Sequence, residues 1–404
     1  MPLTSKNKVF EMGISEIKDM YEKYVLSTYT RGDICLVKGE GSRVEDSEGN
    51  RYLDFFPGWA VSGVGHRHPR VIGRIERQLE RILHVSNNFY NELQPVLARK
   101  IIEHSFPGRV FFSNSGAEAN EGAIKFARKY GRGERYEIIT MERSFHGRTL
   151  ATLTATGQEK IKEGFYPLPE GFKHVPFNDI GALKDAITDR TVAVMMEPVQ
   201  GEGGINVPGR DYMRELGALC SERDILLIMD EVQTCMGRTG EMFAYRHFGV
   251  EPDAMTLAKS LGGGLPVGAL VVKEKHKDVL GPGSHASTFG GSPIVCAAGL
   301  GVFEAIEEED LLDNAVKMGN YLAGKLRELG EKFPVIEEVR GLALMIGIKM
   351  GLEDASPFVG SLASRGVLIN CTQGNVLRMM PPLTVNREQI DEATQKFAEI
   401  LEKM

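Results

Sequence analysis

Residues 225–259, ILLIMDEVQTCMGRTGEMFAYRHFGVEPDAMTLAK, decide the fold. The stretch opens on an unbroken apolar run, Ile225 to Met229, and nears its end on another, Ala254 to Leu257. Asp230 and Glu231 follow the first run, and Lys259 closely follows the second. Continuous rather than alternating apolar runs belong to strands buried on both faces, as in parallel sheets covered by helices. Similar runs lie outward on both sides: Tyr136 to Met141, Thr191 to Met196, and Val267 to Val272. Helical spacing fills the gaps. From Glu118 to Tyr130, residues Ala119, Ala123, Phe126, Ala127 and Tyr130 share a face, and Tyr212 to Arg223 reads as another helix. The class expected is α/β, with a large, mostly parallel sheet.

The flanks differ in texture. Ile14 to Tyr24 reads as a helix, and Ser42 to Asp54 as a hairpin closed by Glu48-Gly49-Asn50. Beyond residue 300, charged helices (Val302 to Leu329, Arg387 to Met404) flank strand-like pieces at Val335 to Val339, Leu342 to Ile348 and Val376 to Met379. This predicts an N-terminal segment (1–60) packing with a small domain, a large α/β domain (61–300), and a C-terminal small α+β domain (301–404).

Composition narrows the function classes. With 48 Lys+Arg against 55 Asp+Glu, the 404-residue chain carries a net charge of −7, and no basic block stands out, which argues against nucleic acid. Five cysteines, of which Cys220 and Cys235 are the nearest pair, fit neither a disulfide framework nor a CxxC zinc site. No signal peptide or membrane-length apolar run is evident, so a cytoplasmic protein without a membrane partner is expected. The 46 glycines exceed an ordinary share and cluster at Gly201, Gly203 and Gly204, at Gly262 to Gly264, and at Gly290 and Gly291. His66 and His68 form an HxH without an apparent third ligand, so no metal is expected.

In open α/β sheets, ligands gather at the carboxyl ends of the strands. There stand Glu197-Pro198-Val199-Gln200-Gly201-Glu202, Asp230-Glu231-Val232-Gln233 and Ala258-Lys259-Ser260. Upstream, Asn114-Ser115-Gly116-Ala117-Glu118 is a small-residue turn opening into a helix, whose free N–H groups suit a phosphate. A Walker A loop ending at Lys259-Ser260 fails because Asp253 and Ala258 replace its glycines, and Gly262 to Gly268 lacks GxGxxG spacing. A strand-end Asp alone is an ordinary cap, and a strand-end Lys alone an ordinary solvated side chain. Together with a phosphate cradle they match pyridoxal 5′-phosphate, which takes a lysine Schiff base and an acidic partner for its pyridine nitrogen. Asp230 would keep that nitrogen protonated, and Lys259 would move the substrate proton.

The chain resembles the class-III aminotransferases of pyridoxal-phosphate fold type I, and within them is similar to the acetylornithine aminotransferases. The resemblance spans nearly the whole length: LDFFPGWAVSGVGHRHP (53–69), VFFSNSGAEANEGAIKFARKY (110–130), SFHGRTLATLTATGQ (144–158), EPVQGEGGINVP (197–208), 225–269, STFGGSPIVCAAG (287–299) and NVLRMMPPLTV (375–385).

The resemblance implies roles residue by residue. Lys259 is the Schiff-base lysine and Asp230 the pyridinium partner. Gln233 bonds the phenolic oxygen, Val232 and Phe145 cover the ring faces, and Glu231 sits beside the cofactor. Ser115, Gly116 and Ala117 hold the phosphate. Thr288 reaches the phosphate of a neighbouring subunit and Ser287 the substrate, which implies a homodimer. Arg148 takes the carboxylate of an ω-amino substrate and Arg378 that of glutamate, while Glu202 masks Arg378 during the ω-amino half. Glu197 either supports the cofactor through hydrogen bonds or caps a strand. Tyr29 matches a substrate-side tyrosine of related ornithine enzymes. Trp59, the single tryptophan, departs from the small aliphatic residue usual in acetylornithine enzymes and would reshape the ω-substrate pocket. The implied reaction passes the terminal amino group of N2-acetyl-L-ornithine to 2-oxoglutarate, in arginine biosynthesis. The alternatives are another ω-aminotransferase (on N-succinylornithine, N-succinyldiaminopimelate, ornithine, 4-aminobutyrate or a carrier-linked lysine precursor), a glutamate-1-semialdehyde aminomutase, and a non-catalytic binding protein.

Overall fold

The computed structural model describes residues 12–404. Strands β1 (Leu36–Glu40), β2 (Arg43–Asp46) and β3 (Arg51–Asp54) form an antiparallel meander, with Gly49 supplying the positive φ (85°) at the expected turn. The large sheet contains β4 (Gly108–Ser113), β5 (Glu137–Met141), β6 (Phe172–Val175), β7 (Thr191–Met196), β8 (Leu226–Asp230), β9 (Ala254–Leu257) and β10 (Gly268–Lys273), in the order β4-β10-β9-β8-β7-β5-β6. Only β10 runs against the rest. The middle strands β7, β8 and β9 are buried along their whole length, which is why they read as continuous apolar runs. Parallel strands share one carboxyl edge, so Glu197, Asp230 and Lys259 arrive together there.

The helix Gly116–Tyr130 starts close behind β4 and buries Ala119, Ala123, Phe126 and Ala127, with Tyr130 half-buried. Its alanines let it lie close over β9 and β10, which aims its N-terminus at the same edge. The other expected helix runs Arg210–Glu222.

Toward the C-terminus, β11 (Ile336–Leu342), β12 (Met345–Met350), β14 (Asn370–Thr372) and β15 (Val376–Met379) form a second sheet, β11-β12-β15-β14. The short β13 (Val367–Leu368) instead pairs in parallel with β3, Val367 opposite Leu53, so both ends of the chain contribute to one sheet. Two expectations are corrected here. The helix predicted over Val302 to Leu329 is two helices, Pro293–Glu308 and Leu311–Lys332, separated where Asp310 turns left-handed (φ 49°). The strand predicted over Leu342 to Ile348 is broken by the β11–β12 turn, with Ala343 at φ 47°. Residue 300 falls inside the first of those helices. Among the described residues, no helix is long and apolar enough to cross a membrane, and no cluster of three metal-ligating side chains occurs.

Candidate active site

A cavity of about 460 Å³ opens at the carboxyl edge of the large sheet. Its walls include Ser115, Gly116, Ala117, Phe145, Arg148, Glu197, Glu202, Asp230, Val232, Gln233 and Lys259. Glu202 and Arg378, 176 residues apart in sequence, meet beside it.

Asp230, at the tip of β8, is buried and held on three sides. His146 Nδ1 and Asn120 Nδ2 each donate to Oδ2 at 2.8 Å, and the Val232 N–H donates to Oδ1 at 3.0 Å. Asn120 is fixed in turn, because Thr256 Oγ1 donates to its Oδ1 at 2.6 Å and its own amide donates to His146 O at 2.7 Å. Thr256 is opposite Asp230 in the β8–β9 register. These donors fix the carboxylate in place at the cavity wall, where it can face a cationic partner.

Lys259 begins the 3₁₀ turn that follows β9, with φ at 47°. Burial holds its amine below the ordinary lysine value, although Glu202, Asp230 and Glu197 pull the other way. A depressed amine is a better nucleophile and base near neutral pH. Glu197 accepts from the Phe145 N–H at 3.1 Å and the Gly201 N–H at 3.1 Å. Burial pushes its carboxyl up to about 7.

The expected phosphate cradle is a helix start. Ser115 caps the helix through its Oγ, which accepts from the Glu118 N–H at 3.2 Å. Gly116 must lack a side chain, since a Cβ there would lie 2.7 Å from Val232 Cγ1. Gln233 supplies a second test of fit. It is buried, yet neither Nε2 nor Oε1 has a hydrogen-bond partner among the described residues. A buried amide without partners costs free energy unless a ligand completes it. Pyridoxal 5′-phosphate offers matching groups: a phosphate for the helix start, a pyridine nitrogen for Asp230, a phenolic oxygen for Gln233 and a carbonyl carbon for Lys259.

Two arginines differ in their surroundings. Arg378, on β15, is fully buried; its NH1 donates to Glu202 Oε1 at 2.6 Å and its Nε to Asn370 Oδ1 at 2.9 Å, with the guanidinium 4.7 Å from the Phe56 ring centroid. Arg148 is exposed at the cavity wall, 5.7 Å from the Phe145 ring centroid, and makes no ion pair among the described residues. One cation is capped by an internal carboxylate and the other stands open.

Other expected site residues lie elsewhere. Glu231 turns away from the cavity: its carboxylate accepts from the N–H groups of Ala244 at 3.0 Å and Tyr245 at 2.8 Å and from the Thr234 hydroxyl. Successive residues leaving a strand point to opposite sides, so only one of Asp230 and Glu231 can face the ligand. Thr288 is exposed and absent from the walls of its own chain's cavity, whereas Ser287 Oγ accepts from Asn114 Nδ2 at 3.1 Å beside the cradle. Tyr29 is 68% exposed, packed on Arg31 rather than on the cavity. Trp59 is also outside the cavity wall, its ring edge-on to Phe56 at 5.8 Å, one ring removed from Arg378. Asn120 and Asn370 were not anticipated. Asn120 carried a usable signal, a polar residue within the apolar face of Ala119, Ala123 and Ala127.

Comparison with known proteins agrees with this chemistry. A family model described as aminotransferase class-III matches residues 26–401, and the chain belongs to that family. It is a transaminase dependent on pyridoxal 5′-phosphate. Among its relatives, acetylornithine aminotransferase of Caldanaerobacter subterraneus subsp. tengcongensis is 53% identical over 387 residues, covering 95% of this chain and 98% of its own. Acetylornithine aminotransferase of Methanocaldococcus jannaschii is 52% identical over 387 residues, covering 95% and 97%. Of solved structures, a Toxoplasma gondii ornithine aminotransferase, described with partial occupancy of pyridoxal phosphate at its active site, superposes with a TM-score of 0.93 at 33% identity, covering 98% of each chain.

Proposed function

We propose that the chain transfers the terminal amino group of N2-acetyl-L-ornithine to 2-oxoglutarate, giving N-acetyl-L-glutamate 5-semialdehyde and L-glutamate, as a step of arginine biosynthesis. The observation that carries this reading is the pairing of one open arginine, Arg148, with one capped arginine, Arg378, beside one lysine. The two substrates present carboxylates at different distances from the reacting amine. Arg148 receives the remote carboxylate of the ω-amino substrate, and Arg378 receives the near carboxylate of glutamate once Glu202 has left it. Pyridoxal 5′-phosphate, when bound, supplies an electrophilic carbon and an electron sink. Lys259 holds it and moves the proton, Asp230 with His146 and Asn120 faces the pyridine nitrogen, and Val232 and Phe145 flank the ring. Ser115, Gly116 and Ala117 hold the phosphate, and Gln233 faces the phenolic oxygen.

The same reading assigns Thr288 to a neighbouring subunit's phosphate and makes the enzyme a cytoplasmic homodimer. Two features support the dimer. Phe89, Tyr90 and Phe289 are exposed at 71%, 105% and 59%, with Phe289 directly beside Thr288, and the helix Ile14–Tyr24 buries none of its residues against the rest of its own chain. A division into a large domain and a small C-terminal domain joined by the N-terminal strands fits the β3–β13 pairing. A second reading, free ornithine as the amine donor, is favoured by the likeness to the Toxoplasma ornithine aminotransferase. Measuring kcat/KM for N-acetylornithine and ornithine separates the two. The proposal expects at least a tenfold preference for the acetylated amine, about 1.4 kcal/mol, and an equal or reversed ratio overturns it.

A further inference from the structure

Arg378 is gripped on two edges. Its Nε and NH2 both donate to Asn370 Oδ1, and its NH1 donates to Glu202 Oε1 at 2.6 Å. The register explains the first grip, since Asn370 is the direct partner of Arg378 across the β14–β15 pair. A guanidinium offers five N–H groups in a rigid plane. Asn370 occupies the Nε–NH2 edge, and Glu202 sits on the NH1 end. When Glu202 departs, the NH1–NH2 edge is the fork left for a carboxylate.

The backbone beneath Glu202 is anchored to the same segment. Thr372 Oγ1 and Gln373 Nε2 donate to Glu202 O at 2.7 and 2.8 Å, and Arg340 Nε and NH2 donate to Gly204 O at 3.0 and 2.7 Å. Unmasking Arg378 therefore falls to the Glu202 side chain alone. Once it moves, the buried Arg378 head group keeps its hydrogen bonds to Asn370 and its place over the face of Phe56, and no other side-chain hydrogen bond among the described residues.

We propose that Asn370 is a positioning residue for the glutamate half-reaction: its carboxamide keeps the Arg378 guanidinium aimed while Glu202 is away. The inference rests on the reading of Glu202 and Arg378 given above. A neutral acceptor is what the position requires, because it holds two N–H groups without cancelling the charge that the substrate carboxylate must find. Without Asn370, the buried guanidinium loses its fixed partner and draws Glu202 back, so the masked state gains.

The test uses the cofactor-loaded enzyme with N370A, N370D, E202A and R378A. Single-turnover kinetics are followed with glutamate and with N-acetylornithine, and binding of glutarate, a dicarboxylate without an amine, by calorimetry. For N370A the apparent KM for glutamate and the Kd for glutarate rise about tenfold, the worth of one charge-assisted hydrogen bond. The N-acetylornithine half changes less than threefold. N370D keeps the acceptor but adds an anion, and weakens glutarate at least as much. Equal losses in both halves, or unchanged glutarate binding in both variants, would overturn the proposal. The underlying reading fails by a different sign: E202A leaving the ratio of the two half-reactions unchanged, or R378A leaving glutamate unaffected.

Discussion

Replacing Gly201 by alanine displaces Gln233 without altering it. A Cβ at Gly201 would stand 1.8 Å from Gln233 Oε1 and 2.7 Å from its Cδ, far inside contact distance. The backbone at Gly201 is not left-handed, so alanine meets no conformational obstacle there, and the flexible amide must yield. Gln233 is 7% exposed, and its amide is buried without a hydrogen-bond partner among the described residues. If it serves the cofactor's phenolic oxygen, moving it removes a hydrogen bond to a charged group, worth about 1.5–3 kcal/mol, or roughly 10- to 150-fold in affinity. The Gly201 N–H that donates to Glu197 at 3.1 Å survives the substitution, so the perturbation is confined to the amide. Spectrophotometric titration of apoenzyme with pyridoxal phosphate would be run on the parent, G201A, Q233A and the double variant. G201A should weaken binding about tenfold or more in the parent but less than about threefold in Q233A, where no amide remains to be pushed. Additive penalties, or parental affinity in G201A, would refute the assignment of Gln233.

Asp230→Asn keeps the shape of the residue and removes its charge; turnover should fall by about a thousandfold, roughly 4 kcal/mol, in assays with cofactor occupancy verified by absorbance. A loss under tenfold would remove Asp230 from the mechanism. Glu197, held near 7 mainly by burial against an ordinary 4.5, keeps a proton in the folded state that the unfolded chain releases. Its contribution to stability is complete below pH 4.5 and is lost as pH rises through about 7, a swing of about 3 kcal/mol. Urea denaturation of apoenzyme across that window should therefore show a shallower decline for Glu197→Gln, and an unchanged slope would contradict it. Arg148→Lys exchanges a bidentate fork for a point charge and should raise the KM for N-acetylornithine about tenfold while changing the glutamate half far less. Equal effects on both halves would count against its assigned role.

Asp230 and Lys259 were legible in the sequence because each follows an apolar run that buried parallel strands require, and β8 and β9 carry them to one edge. The break at Asp310 was not. The segment before it, PIVCAAGLGVF, is apolar all round and nearly all buried, so it has no helical period to mark its start. Glu231 was misplaced because a motif keeps neighbours together where the chain turns them apart. Asn370 gave no signal at all: a lone asparagine on a three-residue strand gains its meaning only from the register that sets it opposite Arg378. Thr288 and Tyr29 lie on exposed surface, where their assigned roles depend on what covers them.

The most direct test mixes the yellow, cofactor-loaded protein with L-glutamate in the absence of any acceptor. The visible absorption should bleach as the amino group moves to the cofactor, and N-acetyl-L-glutamate 5-semialdehyde should restore it. No bleaching with glutamate would contradict the transaminase account, and restoration by the unacetylated semialdehyde alone would contradict the substrate assigned.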